Sequence, residues 1–127
     1  MKSKVKSDPR LLENAKNGSV FGDTQGLKFR GPKGDFSELR WIDVEEVRAF
    51  KRDLLTTDLI CLAFKKSGKE EHYEMNEEMV GYHDLLELIP EHLPRFNLEW
   101  LSSIALPAFA PNHQVIWKRI EMGSAGL

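Results

Sequence analysis

A chain of 127 residues with 41 % apolar and 30 % charged residues can bury one core, and so builds one domain. No run approaches the roughly 18 apolar residues of a membrane span or forms the apolar stretch of a secretory signal, which predicts a cytoplasmic protein without stable membrane association. The single cysteine, Cys61, cannot close an internal disulfide, which agrees with a reducing compartment, and the net charge of −2 hides an uneven distribution.

In chain order, "DPRLLENAKNG" reads as an arm over 1–19 with a two-turn helix, Asp8 as N-cap, Pro9 at its first position and Gly18 past its end. "SVFGDTQGLKFRG" then reads as two short strands around "GDTQG", with Leu27 and Phe29 on one face and Lys28 and Arg30 on the other. "GPKGD" is a turn. The next segment, "WIDVEEVRAFKRDLL", carries two patterns. Asp43, Glu46, Val44, Val47, Phe50 and Leu54 fit a helix with a capping box, whereas Val47, Ala49 and Lys51 alternate with Arg48, Phe50 and Arg52 as in a strand. The apolar run Leu59–Phe64 decides for strand, because a central strand needs a neighbour on each edge.

That run continues through "KKSGK" into "EHYEM", a hairpin with Tyr73 and Met75 facing inward. A main helix is predicted over 77–89 behind Asn76, with Met79, Tyr82, Leu85, Leu86 and Ile89 on its apolar side and Glu77, Glu78, Asp84, Glu87 and Glu91 opposite. Pro90 and Pro94 argue against its continuation. A short helix opens at Asn97, "PAFAP" around Phe109 runs as an extended strap, and "HQVIW" alternates as a terminal strand with Val115 and Trp117 on one side and Ile116 on the other. The domain therefore spans 20–119, followed by a flexible tail at 120–127. The expected fold is α+β: one antiparallel sheet of four to six strands packed on the main helix, with the C-terminal helix and tail closing one side and Trp117 buried.

This order of elements, with "RWIDVEEV" leading into a strand, a hairpin and a helix, resembles a pleckstrin-homology-like domain, complete or partial. The stretches "AFKRDLLTTDLICLAF" and "EWLSSIALPAFAPN" with "VIWKR" resemble small uncharacterised bacterial proteins; the likeness covers 20–119. Four or five strands are expected before the main helix, where a complete pleckstrin-homology domain carries seven. The resemblance brings no catalytic residues. It does imply a lipid-headgroup alternative, through Lys28, Arg30 and Lys33 in the first hairpin region.

Residues 1–69 hold fifteen Lys/Arg against ten Asp/Glu, and 70–99 hold nine Asp/Glu against one Arg. An acidic second half argues against a nucleic-acid footprint and suits a basic partner. His72, His83, His92 and His113 have no zinc-helix spacing and no second cysteine beside them, so neither metal nor cofactor is expected. Cys61 lies in the most apolar run of the chain, where a thiol is inert. A small hydrolase using Cys61 or a histidine is the enzymatic alternative. The preferred reading is a non-enzymatic protein that binds another protein, as an immunity or adaptor protein does. Its predicted contact residues are Arg48, Lys51 and Arg52 near a strand tip, and Glu78 and Glu87 on the helix.

Overall fold

The computed structural model describes residues 17–53, 57–105 and 113–120. The helix expected in the 1–19 arm, the strap around Phe109 and the tail at 121–127 lie outside the described residues.

Among the described residues seven strands form two antiparallel sheets, so the chain is α+β with two sheets in place of the single one expected. The first sheet is a meander of β1 (Ser19–Gly22), β2 (Gly26–Arg30) and β3 (Phe36–Arg40), in that spatial order. A 3-10 turn over Trp41–Asp43 then breaks the meander and starts a second sheet. That sheet holds β4 (Val44–Asp53), β5 (Asp58–Lys66), β6 (His72–Asn76) and β7 (Gln114–Lys118), ordered β6-β5-β4-β7. Periodicity misses β3 because only Leu39 of its five residues is buried, as befits an edge strand.

The segment open to both patterns is strand: β4 pairs with β5 from Val44↔Lys66 to Asp53↔Asp58. Cross-strand partners for its whole length outweigh a helical pattern whose polar side would have faced the same neighbours. At β7 the expected alternation fails. The register with β4 steps from Val47↔Trp117 to Arg48↔Val115, leaving Ile116 as an extra residue in a bulge. Ile116 and Trp117 consequently both enter the core, while Val115 stays 47 % exposed.

The main helix, α1, spans Tyr82–His92 and not 77–89. Asn76 caps a turn: its side-chain oxygen accepts from the Glu78 amide at 2.9 Å, and its carbonyl accepts from the Met79 amide at 3.0 Å. Val80 then bonds to the edge of β1, donating to the Gly18 carbonyl at 3.1 Å and accepting from the Val20 amide at 2.8 Å. Only after the left-handed Gly81, φ 91°, does the helix begin. At the other end α1 includes Pro90, whose missing amide removes one bond without preventing the last turn. A second helix, α2 (Trp100–Ala105), follows a turn in which Asn97 accepts from the Glu99 amide at 2.9 Å.

One apolar cluster joins both sheets and both helices, including Leu27, Phe64, Met75, Tyr82, Ile89 and Ile104. All three tryptophans belong to it. Trp41 donates to the Asp23 carbonyl at 2.7 Å and stacks on His92, and Trp117 donates to the Pro94 carbonyl at 2.7 Å. Buried indole N–H groups thus find backbone acceptors, as their burial requires. Arg119 fastens the last strand, donating at 2.9 Å to the carbonyls of Val44 and Trp41.

Candidate functional site

Alternation along β4 sends Val47 and Ala49 into the main core and Arg48, Phe50 and Arg52 to the opposite face of the four-stranded sheet. Register then brings Ala63 of β5 opposite Arg48, Cys61 opposite Phe50 and Leu59 opposite Arg52, with Glu74 of β6 beyond Ala63. Phe50, Leu59, Cys61 and Ala63 form a second apolar cluster, separate from the main core and on the outer side of the sheet. A sheet with one face already on the core ordinarily turns polar residues outward, which makes this cluster the feature to explain.

Cationic and aromatic groups surround it. The Arg52 guanidinium lies 5.3 Å from the Phe50 ring centre and bonds the Glu74 carboxylate. His113 stacks on Phe50 at 4.6 Å with 8° between the rings. Arg48 pairs with Glu46 at 2.5 Å, and its side chain keeps 44 % exposure against 10 % for Glu46. A groove of about 330 Å³ opens beside Phe50, lined by Arg48, Ala63, His72, Glu74 and His113. Under it, burial, reinforced by the Glu74 carboxylate, pushes the Cys61 thiol up to about 11. Such a thiol carries its proton at neutral pH and is a poor nucleophile. It also donates a weak bond, at 3.6 Å, to the Leu59 carbonyl.

Of the five residues singled out in the sequence, Arg48 and Arg52 meet at this face. Lys51 does not: it points to the other side of β4, is 3 % exposed and pairs with Asp58 at 3.6 Å. Strand alternation decides this, since a residue between two outward arginines must point inward. Glu78 sits in the turn before α1, so it shares no helix face with Glu87. Glu87 is exposed on α1 beside a groove of about 420 Å³ with Phe21, Val80, Asp84 and Leu88. In the first hairpin, Lys28 pairs with Asp23 at 3.1 Å and Arg30 donates to the Gly34 carbonyl while lying 5.8 Å from the Phe36 ring centre. Those contacts hold both cations on their own hairpin. The Asp23 carboxyl is held below the usual carboxylate range: burial opposes this, but the amides of Gln25 and Gly26 and the Lys28 ammonium outweigh it.

Phe50, His72, Glu74 and His113 were not legible as a unit. The hairpin register would have placed Glu74 opposite Ala63, but no local signal sets His113 on Phe50. Among the described residues, no three His, Cys, Asp or Glu side chains converge as a metal site, and no helix is long and apolar enough to cross a membrane. No protein-family model matches the chain, nor does any curated protein or solved structure.

Proposed function

We propose that the protein is a non-enzymatic interaction protein, of the immunity or adaptor kind, that docks a protein partner on the outer face of its four-stranded sheet. The observation that carries this reading is the groove of about 330 Å³ on that face, lined by Arg48, His72, Glu74 and His113 over the buried Phe50 cluster, with Arg52 beside the Phe50 ring. Interface centres favour aromatic residues and arginine in pockets sized for one anchoring side chain. Both arginines expose more of their side chains than the carboxylates they pair with, 44 % against 10 % and 50 % against 38 %. The partner is therefore one that seats an apolar side chain beside Phe50 and sets carboxylates against the two guanidinium groups. Among the described residues the strands number seven, as in a complete pleckstrin-homology domain; six of them, and not the four or five expected, precede the main helix, and the seventh returns to β4 after it.

The test is affinity capture from cells that express the protein, followed by a measured affinity for whatever protein is retained. Arg48→Glu, and separately Arg52→Ala, should each weaken that complex by about tenfold or more while leaving the melting temperature close to wild type. A partner held equally well by both variants would remove this face from the proposal.

A further inference from the structure

We infer that the open edge of β6 and the cleft beside it receive an extended, basic segment of a partner protein as an added strand. Among the described residues β6 is the outermost strand of its sheet. Its pairing phase follows from the Glu77 amide, which donates to the Ile60 carbonyl at 3.1 Å. In an antiparallel ladder the residues that bond to a neighbour alternate, so Tyr73 and Met75 turn their backbone groups to β5 while His72, Glu74 and Asn76 turn theirs outward. Asn76 is satisfied locally, its amide by the Met79 sulfur at 3.4 Å and its carbonyl by the Met79 amide. The outward backbone groups of His72 and Glu74 have no partner among the described residues. They are two residues apart, the spacing at which an added strand makes its bonds.

Alongside this edge lies a cleft of about 500 Å³, walled by Phe29 and Ser37 of the first sheet and by Tyr73 and Met79. Tyr73 meets Phe29 edge to face at 5.3 Å, which gives the cleft an aromatic floor between the two sheets. Among the described residues its charged lining is acidic: Asp35, Glu71 and Glu74, with no lysine or arginine. Glu74 is engaged by Arg52, whereas Asp35 and Glu71 are exposed and make no ion pair among the described residues. Two uncompensated carboxylates beside aromatic rings favour lysine or arginine in the incoming strand. They also disfavour a second copy of β6, which would bring a second acidic edge beside this one.

The partner class rests on the interaction-protein reading; His72 and Glu74 line both surfaces, but Phe29, Asp35 and Ser37 line this cleft and not the Phe50 groove, so signals there tell the failure of one from that of the other. The experiment titrates the full chain, labelled with nitrogen-15, with a synthetic peptide of sequence Thr-Lys-Val-Lys-Val-Lys-Thr, its ends blocked. The controls are a glutamate analogue and a form N-methylated at alternate residues. Binding should move the amide signals of His72, Glu74 and Phe29 and slow hydrogen exchange at His72 and Glu74 about tenfold or more. The glutamate and N-methylated peptides should leave these signals unmoved. Asp35→Lys combined with Glu71→Lys, both at exposed positions, should weaken the lysine peptide by about tenfold. The inference is overturned by no shift up to the peptide's solubility limit, by shifts confined to Arg48, Phe50, Ala63, His72, Glu74 and His113 with Phe29 unmoved, by shifts that survive N-methylation, or by sedimentation showing a dimer formed through β6.

Discussion

Cys61 shows how one side chain can be read correctly for its chemistry and still hide its place. Its apolar neighbours in "LICLAF" foretell a buried, protonated thiol, and it is fully buried with its pKa pushed up to about 11. The side of the sheet on which it is buried depends on strand register, and that side is the outer one. A raised native pKa sets the sign of its pH effect. Below the ordinary value of 9.0 both native and unfolded thiols hold the proton; as pH climbs from there toward about 11, the unfolded thiol ionises first. Stability therefore falls across that window, by about 1.4 kcal/mol per pH unit from this group. Urea unfolding of wild type and Cys61→Ala, below and within the window, should show a steeper loss for wild type. Tyr82, whose phenol is also raised by burial, acts in the same direction but is common to both proteins. Parallel losses would show that Cys61 ionises as readily in the native protein as in the unfolded chain.

Among the elements, α1 is the instructive case because its sequence pattern is real but begins too early. Met79 continues the apolar stripe, yet Asn76–Val80 form a turn and a bridge to β1. The backbone of β1 offers Val80 hydrogen-bond partners, and Gly81 supplies the left-handed residue that releases the chain into the helix. A glycine in a helical pattern reads as a weak helix position, whereas here a Cβ would stand 2.0 Å from the Val20 carbonyl oxygen. Gly81→Ala should cost about 2–4 kcal/mol, combining left-handed strain with the clash. Gly34 has the same φ of 91° with nothing within 4 Å of its would-be Cβ, so Gly34→Ala should cost only about 1–2 kcal/mol. Equal losses in chemical denaturation would mean that α1 does not lean on β1 as described. For β4, local signals permitted helix or strand, and the choice followed from the need of β5 for a second neighbour.

At the scale of the whole molecule, the last strand closes the fold. β7 pairs with β4, its bulge sends both Ile116 and Trp117 inward, and Arg119 ties it to Trp41 and Val44 far back in the chain. Trp117→Ala should cost about 3–5 kcal/mol, a large share of the roughly 5–15 kcal/mol that holds a domain together. Since Trp41, Trp100 and Trp117 share one core cluster, tryptophan fluorescence and far-ultraviolet circular dichroism should report coincident unfolding transitions in wild type. A Trp117→Ala protein as stable as wild type, or separate transitions for the two probes, would contradict this closing role.

By itself, the amino-acid sequence determined the α+β class, the strand pairs around "GDTQG" and "KKSGK", the burial of Cys61 and Trp117, and the sharing of one strand face by Arg48 and Arg52. Each of these follows from local periodicity, turn chemistry or apolar content, which act over a few residues. Tertiary structure alone decided the division into two sheets, the start of α1, the bulge in β7 and the meeting of Phe50 with His113. Those depend on which distant backbone groups are free to accept a hydrogen bond and which strands become neighbours. The inward turn of Lys51 lies between the two. Alternation along β4 already implied it, but the ion pair with Asp58 that accompanies its burial forms only once β4 and β5 are in register.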